Sequence, residues 1–335
     1  MRVLVTGTAG FIGFHLARRL LADGHEVVGI DALTDYYDVD LKRARRDRLL
    51  AHPAFSDHVV RLEDGDAVMA IARAAAPDAI AHLAAQAGVR HSLNDPRAYL
   101  DANVVGTFNV MEAARDQRVG HLLVASSSSV YGGGKDTPFR ETARADHPLS
   151  IYAATKKAGE ELTHAYSHLW ALPTTVARFF TVYGPWGRPD MALSLFVDAI
   201  LRGRPITVYG HGDMERDFTY VDDLVEALVR LLAAPPELGR PLEGVGDSLS
   251  PTAPWRVVNI GPGHPIRLGD FVAAIERALG QAATQDLQPI QPGESRVTFA
   301  NADLLEALTG FRPGTPLDEG VTAFCDWRRH YYGEV

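Results

Sequence analysis

The sequence contains very little cysteine and no long apolar run. Cys325 is the only cysteine among 335 residues, so an internal disulfide is excluded and a reducing compartment is indicated. No stretch approaches the length of apolar sequence that a membrane span needs. The chain enters a strand-like segment directly after Met1, and we therefore expect no signal peptide. Together these features predict a cytoplasmic protein that has no membrane partner.

Positive charge is also scarce. Lys and Arg number 33 against 42 Asp and Glu, which gives a net charge of −9 at pH 7. Because nucleic acid phosphates are bound by basic faces, this balance argues against a nucleic-acid partner. It also excludes a general attraction for acidic metabolites, so an anionic substrate would require a few arginines gathered at one place. The 13 histidines show no spacing typical of a metal site, and we predict no metal.

What the chain does contain is an alternation of short apolar strands and helical patterns. Strands are predicted at 3–5, 26–30, 79–83, 121–125 and 174–178, and a helix is predicted at about 99–115. Another helix follows the first strand at once, and a further one carries Tyr152. Strands that alternate with helices indicate a parallel sheet covered on both faces. We therefore predict an α/β fold with a Rossmann-type doubly wound parallel sheet.

The character of the sequence changes beyond about Tyr183. Pro and Gly become dense, the alternation of strands and helices loosens, and residues 234–254 form a predicted surface loop. A predicted strand at 257–260 and a predicted helix at 268–279 follow this loop. Since no flexible linker separates the halves, we predict a Rossmann domain of residues 1–182 that includes returning segments of the second half. Residues 183–335 would form a smaller mixed α/β lobe that binds the substrate.

Three glycines, Gly7, Gly10 and Gly13, lie where the first strand turns into the first helix. The first permits a tight turn, the second lets the backbone approach a pyrophosphate, and the third lets helix and strand pack closely. The phosphates would then lie at the helix N-terminus, where unpaired N–H groups favour anions. Asp31 ends the next strand and can accept hydrogen bonds from a ribose while repelling a 2′-phosphate. NAD is therefore the expected cofactor rather than NADP.

Tyr152 and Lys156 are four residues apart on a predicted helix, so their side chains share one face. A phenol with a reference pKa of about 10 is a poor base at neutral pH. A nearby cation favours the phenolate, which can then take a proton from a substrate hydroxyl. Such a pair is common by chance, but here four consecutive serines at 126–129 precede it and the glycine turn is present. The combination predicts an acid–base site beside a bound dinucleotide.

These motifs resemble those of the extended short-chain dehydrogenase/reductase superfamily, which modifies nucleotide sugars, and most closely its UDP-glucuronate 4-epimerase branch. The resemblance spans nearly the whole chain, and its last three segments are far more specific than the glycine turn. The segments that carry it are 35–42, 82–90, 126–132, 152–157, 178–190, 212–220 and 253–261. Two positions depart from the family pattern: Ala32 replaces an Asn, and residues 293–297 replace a Gly-Asp-Val pattern.

The resemblance implies reversible 4-epimerisation of UDP-glucuronate to UDP-galacturonate through a 4-keto sugar, with NAD held tightly and regenerated in every cycle. In the family mechanism, Tyr152 takes the proton of the 4-hydroxyl while C4 gives hydride to NAD, and the hydride then returns to the other face of the sugar. Lys156 would stabilise the phenolate and bond the nicotinamide ribose, and Ser127 would bond the sugar O4. The serine run lacks the acidic pair that dehydrating relatives need, which argues against a dehydratase.

The resemblance also implies the residues that bind each ligand. Besides Tyr152 and Lys156, the cofactor-binding positions would be Gly7, Gly10, Phe11, Ile12, Gly13, Asp31, Asp64, Leu83, Ala84, Ala85, Gln86, Asn103 and Phe179. The substrate-binding positions would be Ser127, Ser128, Ser129, Thr181, Arg188, Val208, Arg216 and Arg296. Glu63 is the alternative to Asp64 for contact with adenine, and Arg216 suits a diphosphate. Arg90 is a weaker candidate for the sugar carboxylate, and we interpret it as a surface charge.

A 4-keto-glucuronate is a β-keto acid that loses CO₂ readily, so an epimerase must hold the carboxylate out of alignment with the ketone. We expect Ser128, Ser129, Thr181 and Arg188 to hold it in this way. Two alternatives within the same fold are a UDP-glucuronate decarboxylase and an epimerase for another UDP-sugar, since small pocket contacts decide specificity. In a different class, the chain would be a non-catalytic NAD-binding scaffold, which has no need of the Tyr–Lys pair.

The predicted helices at about 99–115 and 152–169 are apolar over broad faces. In this superfamily the corresponding helices pair across a two-fold axis as a four-helix bundle. The partners expected from the sequence are therefore a UDP-sugar and a second copy of the chain in a homodimer.

Overall fold

The computed structural model describes residues 1–134, 136–290 and 295–333, and its centre is a seven-stranded parallel sheet. In chain order, the strands of the described residues are β1 (Arg2–Thr6), β2 (Glu26–Asp31), β3 (Phe55–Val59), β4 (Ala79–His82), β5 (His121–Ser127), β6 (Thr174–Phe179), β7 (Thr181–Tyr183), β8 (Ile206–Tyr209), β9 (Glu215–Arg216), β10 (Phe218–Tyr220), β11 (Trp255–Ile260), β12 (Ile266–Arg267), β13 (Gln285–Gln288) and β14 (Val297–Thr298). The central sheet has the order β11-β6-β5-β4-β1-β2-β3, and all its neighbouring pairs are parallel. Sheet growth reverses between β1 and β4, which confirms the predicted doubly wound sheet and creates a crevice at their carboxyl ends.

Helices cover both faces of this sheet. In chain order they are α1 (Phe11–Ala22), α2 (Val39–Leu50), α3 (Gly65–Ala75), α4 (Pro96–Leu100), α5 (Gly106–Gln117), α6 (Ile151–Trp170), α7 (Ala192–Leu201), α8 (Val221–Leu232), α9 (Leu268–Leu279), α10 (Asp303–Thr309) and α11 (Leu317–Tyr332). The helix predicted at about 99–115 consists of α4 and α5, joined by a π-helical segment at Asp101–Val105. Helix α2 is absent from the sequence prediction because two of its buried positions are Lys42 and Arg45, which hide its apolar periodicity.

The two faces of the sheet belong to two apolar clusters, as the alternation of side chains along a strand requires. Val3 and Val5 of β1 pack in one cluster with residues of α1 and α8. Leu4, between them, packs in the other cluster with residues of α3 and α5. All three side chains are at most 1% exposed. The first strand is therefore buried on both faces, which explains why it is a continuous apolar run.

The second half of the chain builds a separate apolar cluster around the stacked rings of Phe218 and Phe271, whose centroids are 4.1 Å apart. Small sheets frame this cluster. Strand β10 pairs with β7 in parallel and β13 pairs with β8 in parallel, while β9 lies between antiparallel β12 and parallel β14. The predicted helix at 268–279 matches α9. This mixed α/β region corresponds to the expected smaller lobe.

Two elements of the second half return to the central sheet. Strand β11 pairs with β6 along its whole length, and α8 packs against α1. The segment 234–254 contains no helix or strand, and it is tied to β11 by a buried ion pair in which Arg256 Nε and Nη2 donate to Asp247 at 2.8 and 2.9 Å. The predicted boundary between residues 182 and 183 stays a prediction. Within the described residues, no helix has both the length and the apolar character to cross a membrane.

Candidate active site

A cavity of about 1260 Å³ lies at the carboxyl ends of the central strands, where the sheet meets the smaller lobe. We call the wall built from the ends of the strands and the start of α6 the sheet side, and the facing wall the lobe side. The predicted site residues on the sheet side are Gly7, Gly10, Phe11, Ile12, Gly13, Asp31, Leu83, Ala84, Ala85, Gln86, Ser127, Ser128, Ser129, Tyr152, Lys156 and Phe179. Those on the lobe side are Thr181, Arg188 and Arg216. The structure therefore brings most of the predicted residues to one cavity.

The glycine turn is shaped so that no side chain fits in it. Gly7 has φ +81°, and a Cβ on it would lie 2.9 Å from the backbone nitrogen of Ala84. A Cβ on Gly13 would lie 2.0 Å from the carbonyl oxygen of Gly7, so the first turn of α1 packs directly on the end of β1. The first backbone N–H groups of α1 have no partner within the helix and can receive an anionic group. The turn therefore fits the phosphates of a dinucleotide.

Asp31, at the end of β2, holds the neighbouring loop and still faces the cavity. Its carboxylate oxygens accept hydrogen bonds from the backbone N–H of Ala9 at 3.0 Å and of Leu33 at 2.8 Å. Burial raises the pKa of Asp31, while these hydrogen bonds and the charges of Lys42 and Arg45 act to lower it. A carboxylate has about four acceptor sites, so acceptor capacity remains for the hydroxyls of a ribose. The sequence did not indicate that α2 would bring Lys42 and Arg45 so near to this acid.

Tyr152 lies in the first turn of α6, whose N-terminus is capped by Ser150 Oγ, which accepts from the backbone N–H of Ala153 at 3.1 Å. Burial raises the pKa of Tyr152, and a side-chain hydrogen bond with Ser127 and the charge of Arg188 act to lower it. Among the protein groups burial outweighs these effects. The prediction that a cation beside this phenol favours the phenolate stays a prediction, and the raised pKa means that ionisation needs positive charge beyond that of Arg188.

Lys156 lies one helical turn after the tyrosine, and its Nζ donates to a backbone carbonyl oxygen at the end of β5 at 2.9 Å. Burial lowers the pKa of Lys156 to about 8, and the carboxylate of Glu160 opposes this shift. Glu160 is only 1% exposed and accepts from Arg178 Nε at 2.9 Å and from Ser126 Oγ at 2.6 Å. This buried ion pair was not predicted. It fixes the end of β5 immediately before the cavity serines, and its carboxylate favours the charged form of Lys156.

The three cavity serines follow β5 directly. Ser127 Oγ accepts from the backbone N–H of Ser129 at 3.2 Å and from its hydroxyl at 3.0 Å. Ser128 and Ser129 begin a short 3₁₀ turn, Ser128–Tyr131, so their side chains project from a tight, well-fixed segment. A side-chain hydrogen bond with Tyr152 places the Ser127 hydroxyl beside the phenol. The serines and the tyrosine therefore form one polar surface.

The lobe side carries a guanidinium that is already oriented. Arg188 donates from Nε to Asp190 Oδ1 at 3.0 Å and from Nη2 to Oδ2 at 2.5 Å, and the Tyr36 hydroxyl donates to the same carboxylate at 3.1 Å. Burial acts to lower the pKa of Arg188, but the pairing with Asp190 outweighs it and the net shift is upward. Arg188 is therefore a fixed cation in the cavity wall.

Arg216 and Arg296 meet at a second position on the lobe side. Arg216 lines the cavity, and its Nη1 donates to the carbonyl oxygens of Glu215 at 2.8 Å and of Arg296 at 3.2 Å. The cavity wall of the described residues includes Ser295 but not Arg296. The substrate contact of the Arg296 side chain stays a prediction, and the backbone carbonyl of that residue helps to hold Arg216. Gly293 and Glu294 of the unusual segment 293–297 lie outside the described residues.

Two predicted contact residues face elsewhere. Asp64 does not line the cavity: its carboxylate caps α3 by accepting from the backbone N–H of Ala67 at 3.1 Å, whereas Glu63 lines the cavity. The preceding strand, β3, ends at Val59, so Glu63 and Asp64 both lie in the segment after it. Val208 is fully buried in the apolar cluster of the lobe and does not line the cavity. The ligand contacts assigned to Asp64 and Val208 stay predictions.

Asn103 is a further predicted contact residue that lies outside the cavity wall. Its amide lies on the π-helical segment between α4 and α5, and it is not part of the cavity wall. Its Oδ1 accepts from the backbone N–H of Gln86 at 2.8 Å, and its Nδ2 donates to the Gln86 carbonyl at 3.0 Å and to Thr155 Oγ1 at 3.0 Å. The two bonds to Gln86 hold a cavity-lining segment in place, and the third ties Asn103 to α6. Asn103 therefore supports the wall predicted to bind the cofactor, and its own contact with the cofactor stays a prediction.

Several cavity residues were missed by the sequence analysis. Tyr36 and Asp190 occur in segments that carried the family resemblance, but their common contact with Arg188 joins residues 154 positions apart, and no local pattern indicates it. Arg90, interpreted as a surface charge, lies at the cavity with its guanidinium 4.6 Å from the ring centroid of Tyr209. Within the part of the chain that the structure describes, no three His, Cys, Asp or Glu side chains are grouped as a metal site would need.

Comparison with known proteins gives the same family throughout. A sequence model of the NAD dependent epimerase/dehydratase family matches residues 3–242. The chain is 53% identical over 334 residues to a probable UDP-glucuronate 4-epimerase of Rhizobium meliloti strain 1021, covering 99% of this chain and 98% of that protein. It is 41% identical to UDP-glucuronate 4-epimerase 1 of Arabidopsis thaliana, covering 99% of this chain and 77% of that protein. Its fold is similar to that of UDP-glucuronic acid 4-epimerase from Bacillus cereus, whose structure was solved with UDP-glucuronic acid and NAD. The TM-score is 0.87 at 31% identity, and the match covers 99% of this chain and 100% of that one.

Proposed function

Because the chain belongs to the NAD-dependent epimerase/dehydratase family, we propose that it is an isomerase that interconverts UDP-glucuronate and UDP-galacturonate with tightly bound NAD. The observation that carries this proposal is the meeting of three groups at one cavity: a half-buried Tyr152 bonded to Ser127, the glycine turn, and a fixed Arg188 on the facing wall. The first is suited to proton transfer at a hydroxyl, the second to a dinucleotide, and the third to a sugar carboxylate.

The sheet side fits NAD on two structural grounds. A side chain at Gly7 or Gly13 would collide with backbone atoms at 2.9 and 2.0 Å, and the bare turn lets phosphates reach the first N–H groups of α1. Asp31 retains acceptor capacity after its two bonds to the backbone, which suits the hydroxyls of an adenosine ribose and opposes a 2′-phosphate. When bound there, NAD supplies a reversible acceptor for the hydride of C4.

The protein groups then control protons and orientation. Tyr152 accepts the proton of the sugar 4-hydroxyl as C4 is oxidised and returns it when C4 is reduced, while Ser127 shares the O4 hydrogen bond. Burial opposes the phenolate, so the base is effective only while a positive charge lies beside it. Lys156, kept protonated by Glu160, supplies part of that charge. The proposed roles explain why the phenol, the ammonium and the hydroxyl share one surface.

The lobe side determines which sugar enters and what becomes of it. We propose that Arg188 and Thr181 bind the C6 carboxylate from one side, while Ser128 and Ser129 face it from the other. The pairing of Arg188 with Asp190 through two hydrogen bonds, at 3.0 and 2.5 Å, leaves its remaining donors with a fixed direction. A carboxylate bound in a fixed plane can be kept out of alignment with the C4 ketone, so that CO₂ is retained.

The test is to incubate the purified protein with UDP-glucuronate and to analyse the sugar nucleotide by NMR. UDP-galacturonate is the expected product, a UDP-pentose would indicate a decarboxylase, and no product despite bound NAD would indicate a scaffold. Tyr152→Phe should lower kcat by at least about a thousandfold, since it removes the base and leaves the ring. Its NAD content should equal that of the wild type. A variant that retains turnover would reject the role of Tyr152.

We also propose a homodimer formed through α4, α5 and α6. Phe108, Tyr166 and Trp170 form a row of contacting rings on α5 and α6, with centroid separations of 6.3 and 4.6 Å. Phe108 and Trp170 are each 44% exposed, and Leu169 is 65% exposed, which is a large apolar area for an isolated surface. Light scattering should give about twice 36.4 kDa, and the mass of one chain would reject the dimer. The scarcity of cysteine supports a cytoplasmic location, which fractionation of the source cells would test.

A further inference from the structure

The loop at 184–190 carries the proposed carboxylate-binding Arg188, and its backbone has an unusual shape. Trp186 has φ +61°, a left-handed conformation that non-glycine residues adopt only when their surroundings impose it. The Trp186 ring packs among Phe14, Trp327 and Tyr331, with centroid separations of 5.5, 5.3 and 5.0 Å. These contacts fix the ring. They do not by themselves fix the backbone that leads to Arg188.

The backbone of this loop is held by a buried arginine of α2. Arg45 is 0% exposed, and its Nη2 donates to the carbonyl oxygens of Trp186 at 2.6 Å and of Gly187 at 3.4 Å. Its Nη1 donates to the carbonyl oxygen of Ala9, within the glycine turn, at 2.9 Å, and to the Tyr37 hydroxyl at 2.8 Å. One guanidinium therefore joins the cofactor turn to the residue immediately before Arg188.

The chemistry of Arg45 indicates that this link has a function. A fully buried cation is costly unless it is paired or well hydrogen-bonded, and the direct partners of Arg45 are carbonyl and hydroxyl oxygens rather than a carboxylate. Its Nε has no hydrogen-bond partner among the described residues. The nearest support from a negative charge is the electrostatic coupling to Asp31. An apolar side chain would fill this space at lower cost, so packing alone does not account for an arginine here.

We propose that Arg45 is a positioning residue that fixes the loop 184–190 against the glycine turn, and thereby holds Arg188 in the orientation that retains the carboxylate of the keto sugar. The proposal rests on the proposed function. A rigid planar fork can bond two segments at once, whereas a lysine offers one compact ammonium. Because small displacements of a positioning group have large kinetic effects, loss of the link should change the fate of the intermediate as well as the rate.

The experiment compares Arg45→Met with a matched control, Arg48→Met, in the purified NAD-containing enzyme. Arg48 is on the same helix and contacts the same tryptophan, with its guanidinium 4.7 Å from the Trp186 ring, but it is exposed. Hydrogen exchange of the peptide spanning 184–190 reports on the link directly. The ratio of released CO₂ to UDP-galacturonate reports on the carboxylate, and NAD content reports on the cofactor turn.

In Arg45→Met, exchange of this peptide should accelerate about tenfold or more, and kcat should fall by about a hundredfold with a higher CO₂ ratio. Arg48→Met should match the wild type in all three readouts. Arg45→Lys, which retains a cation but reaches fewer carbonyls, should lie between the wild type and Arg45→Met.

Three results would overturn the proposal. The first is unchanged exchange and an unchanged CO₂ ratio in Arg45→Met. The second is loss of NAD with an unchanged ratio, which would assign Arg45 to the cofactor turn alone. The third is failure of both Arg45 variants to fold, which would assign it to the core. If the wild type forms no UDP-galacturonate, the proposed function fails, but faster exchange in Arg45→Met would still establish the physical link.

Discussion

The two walls of the cavity are built by different means. The sheet side is made largely of backbone: a bare glycine turn, the ends of parallel strands, and the first turns of helices, with Tyr152 and Lys156 one turn apart on α6. The lobe side is made of side chains from distant segments that orient one another, as Tyr36 and Asp190 orient Arg188. The sheet side should therefore be sensitive to substitutions that add atoms, and the lobe side to substitutions that remove a charge.

This difference separates the general part of the reaction from the specific part. A wall of backbone amides can hold a cofactor that many related enzymes share, since phosphates are recognised by N–H groups that every residue has. A wall of mutually oriented charges recognises one substituent of one sugar. Substitutions on the sheet side should therefore act through the cofactor and stop all turnover, whereas substitutions on the lobe side should act through the substrate.

The largest effect is expected from adding one carbon on the sheet side. In Gly13→Ala the new Cβ would lie 2.0 Å from the Gly7 carbonyl oxygen and 2.6 Å from its carbon, so the turn or the helix must shift. We expect NAD affinity and kcat to fall by at least about a hundredfold, because the backbone could no longer approach the pyrophosphate. The measurement is the NAD content and the turnover of the purified variant.

Gly159→Ala on α6 is the matched control for this substitution. There the new Cβ would have only Thr107 Cγ2 nearby, at 3.9 Å, an ordinary contact. Replacing Gly by Ala inside a helix should stabilise the fold by about 0.5–1 kcal/mol and leave NAD content unchanged. Equal behaviour of the two variants would mean that the glycine turn is not the rigid element described above.

The same division sets how much could be predicted from the sequence. The glycine turn, Asp31 and the Tyr152–Lys156 pair are local patterns, because one strand, one turn or one helix brings each of them together. The parallel sheet followed from the alternation of strands and helices, although β3 was not among the predicted strands and α2 was missed because Lys42 and Arg45 occupy buried positions. Local order therefore predicts the sheet side well.

The remaining features depend on register or on contacts between distant segments. Asp64 and Val208 were each assigned to the cavity one residue away from the side chain that reaches it, Glu63 in one case and Thr207 or Tyr209 in the other. Asn103 was assigned to the cofactor, but a π-helical segment directs it to the backbone of Gln86. Neither the end of a short strand nor a π segment has a reliable sequence signal.

On the lobe side, the expected effect falls on the substrate and leaves the cofactor intact. Arg188→Ala removes the oriented guanidinium, and loss of charge-assisted hydrogen bonds of about 1.5–3 kcal/mol should raise KM for UDP-glucuronate by about 10–100-fold. The released CO₂ should increase relative to UDP-galacturonate because the carboxylate is free to align with the ketone. Thr181→Ala should change the CO₂ ratio in the same direction by a smaller factor.

Arg43→Ala is the control for charge removal, since Arg43 forms an exposed pair with Asp40, with exposed side-chain fractions of 63% and 83%, and such pairs contribute little. NAD content should be the same in all of these variants. An unchanged product ratio in both Arg188→Ala and Thr181→Ala would reject the proposed handling of the carboxylate. Loss of NAD in Arg188→Ala would remove the distinction between the two walls.

The smallest expected effect is a pH dependence of the free energy of unfolding, which arises from a buried neutral histidine behind the sheet side. His82 is 2% exposed and bonds Thr6 and Thr107, and burial lowers its pKa to about 3, with the charge of Lys156 acting in the same direction. In the unfolded chain this histidine, with a pKa of about 6.5, binds a proton below that pH, whereas in the folded chain it stays neutral down to about pH 3. The contribution of the neutral His82 to the free energy of unfolding is therefore fully present above pH 6.5 and declines as the pH falls toward 3. Linkage then predicts that the free energy of unfolding falls by about 2 kcal/mol between pH 7.5 and pH 5 because of this residue. Urea unfolding of His82→Gln should show a pH dependence of the free energy of unfolding that is weaker by that amount. The control His147→Gln changes a side chain that is 90% exposed and should follow the wild type. The same pH dependence in all three proteins would show that a neutral His82 does not stabilise the sheet side.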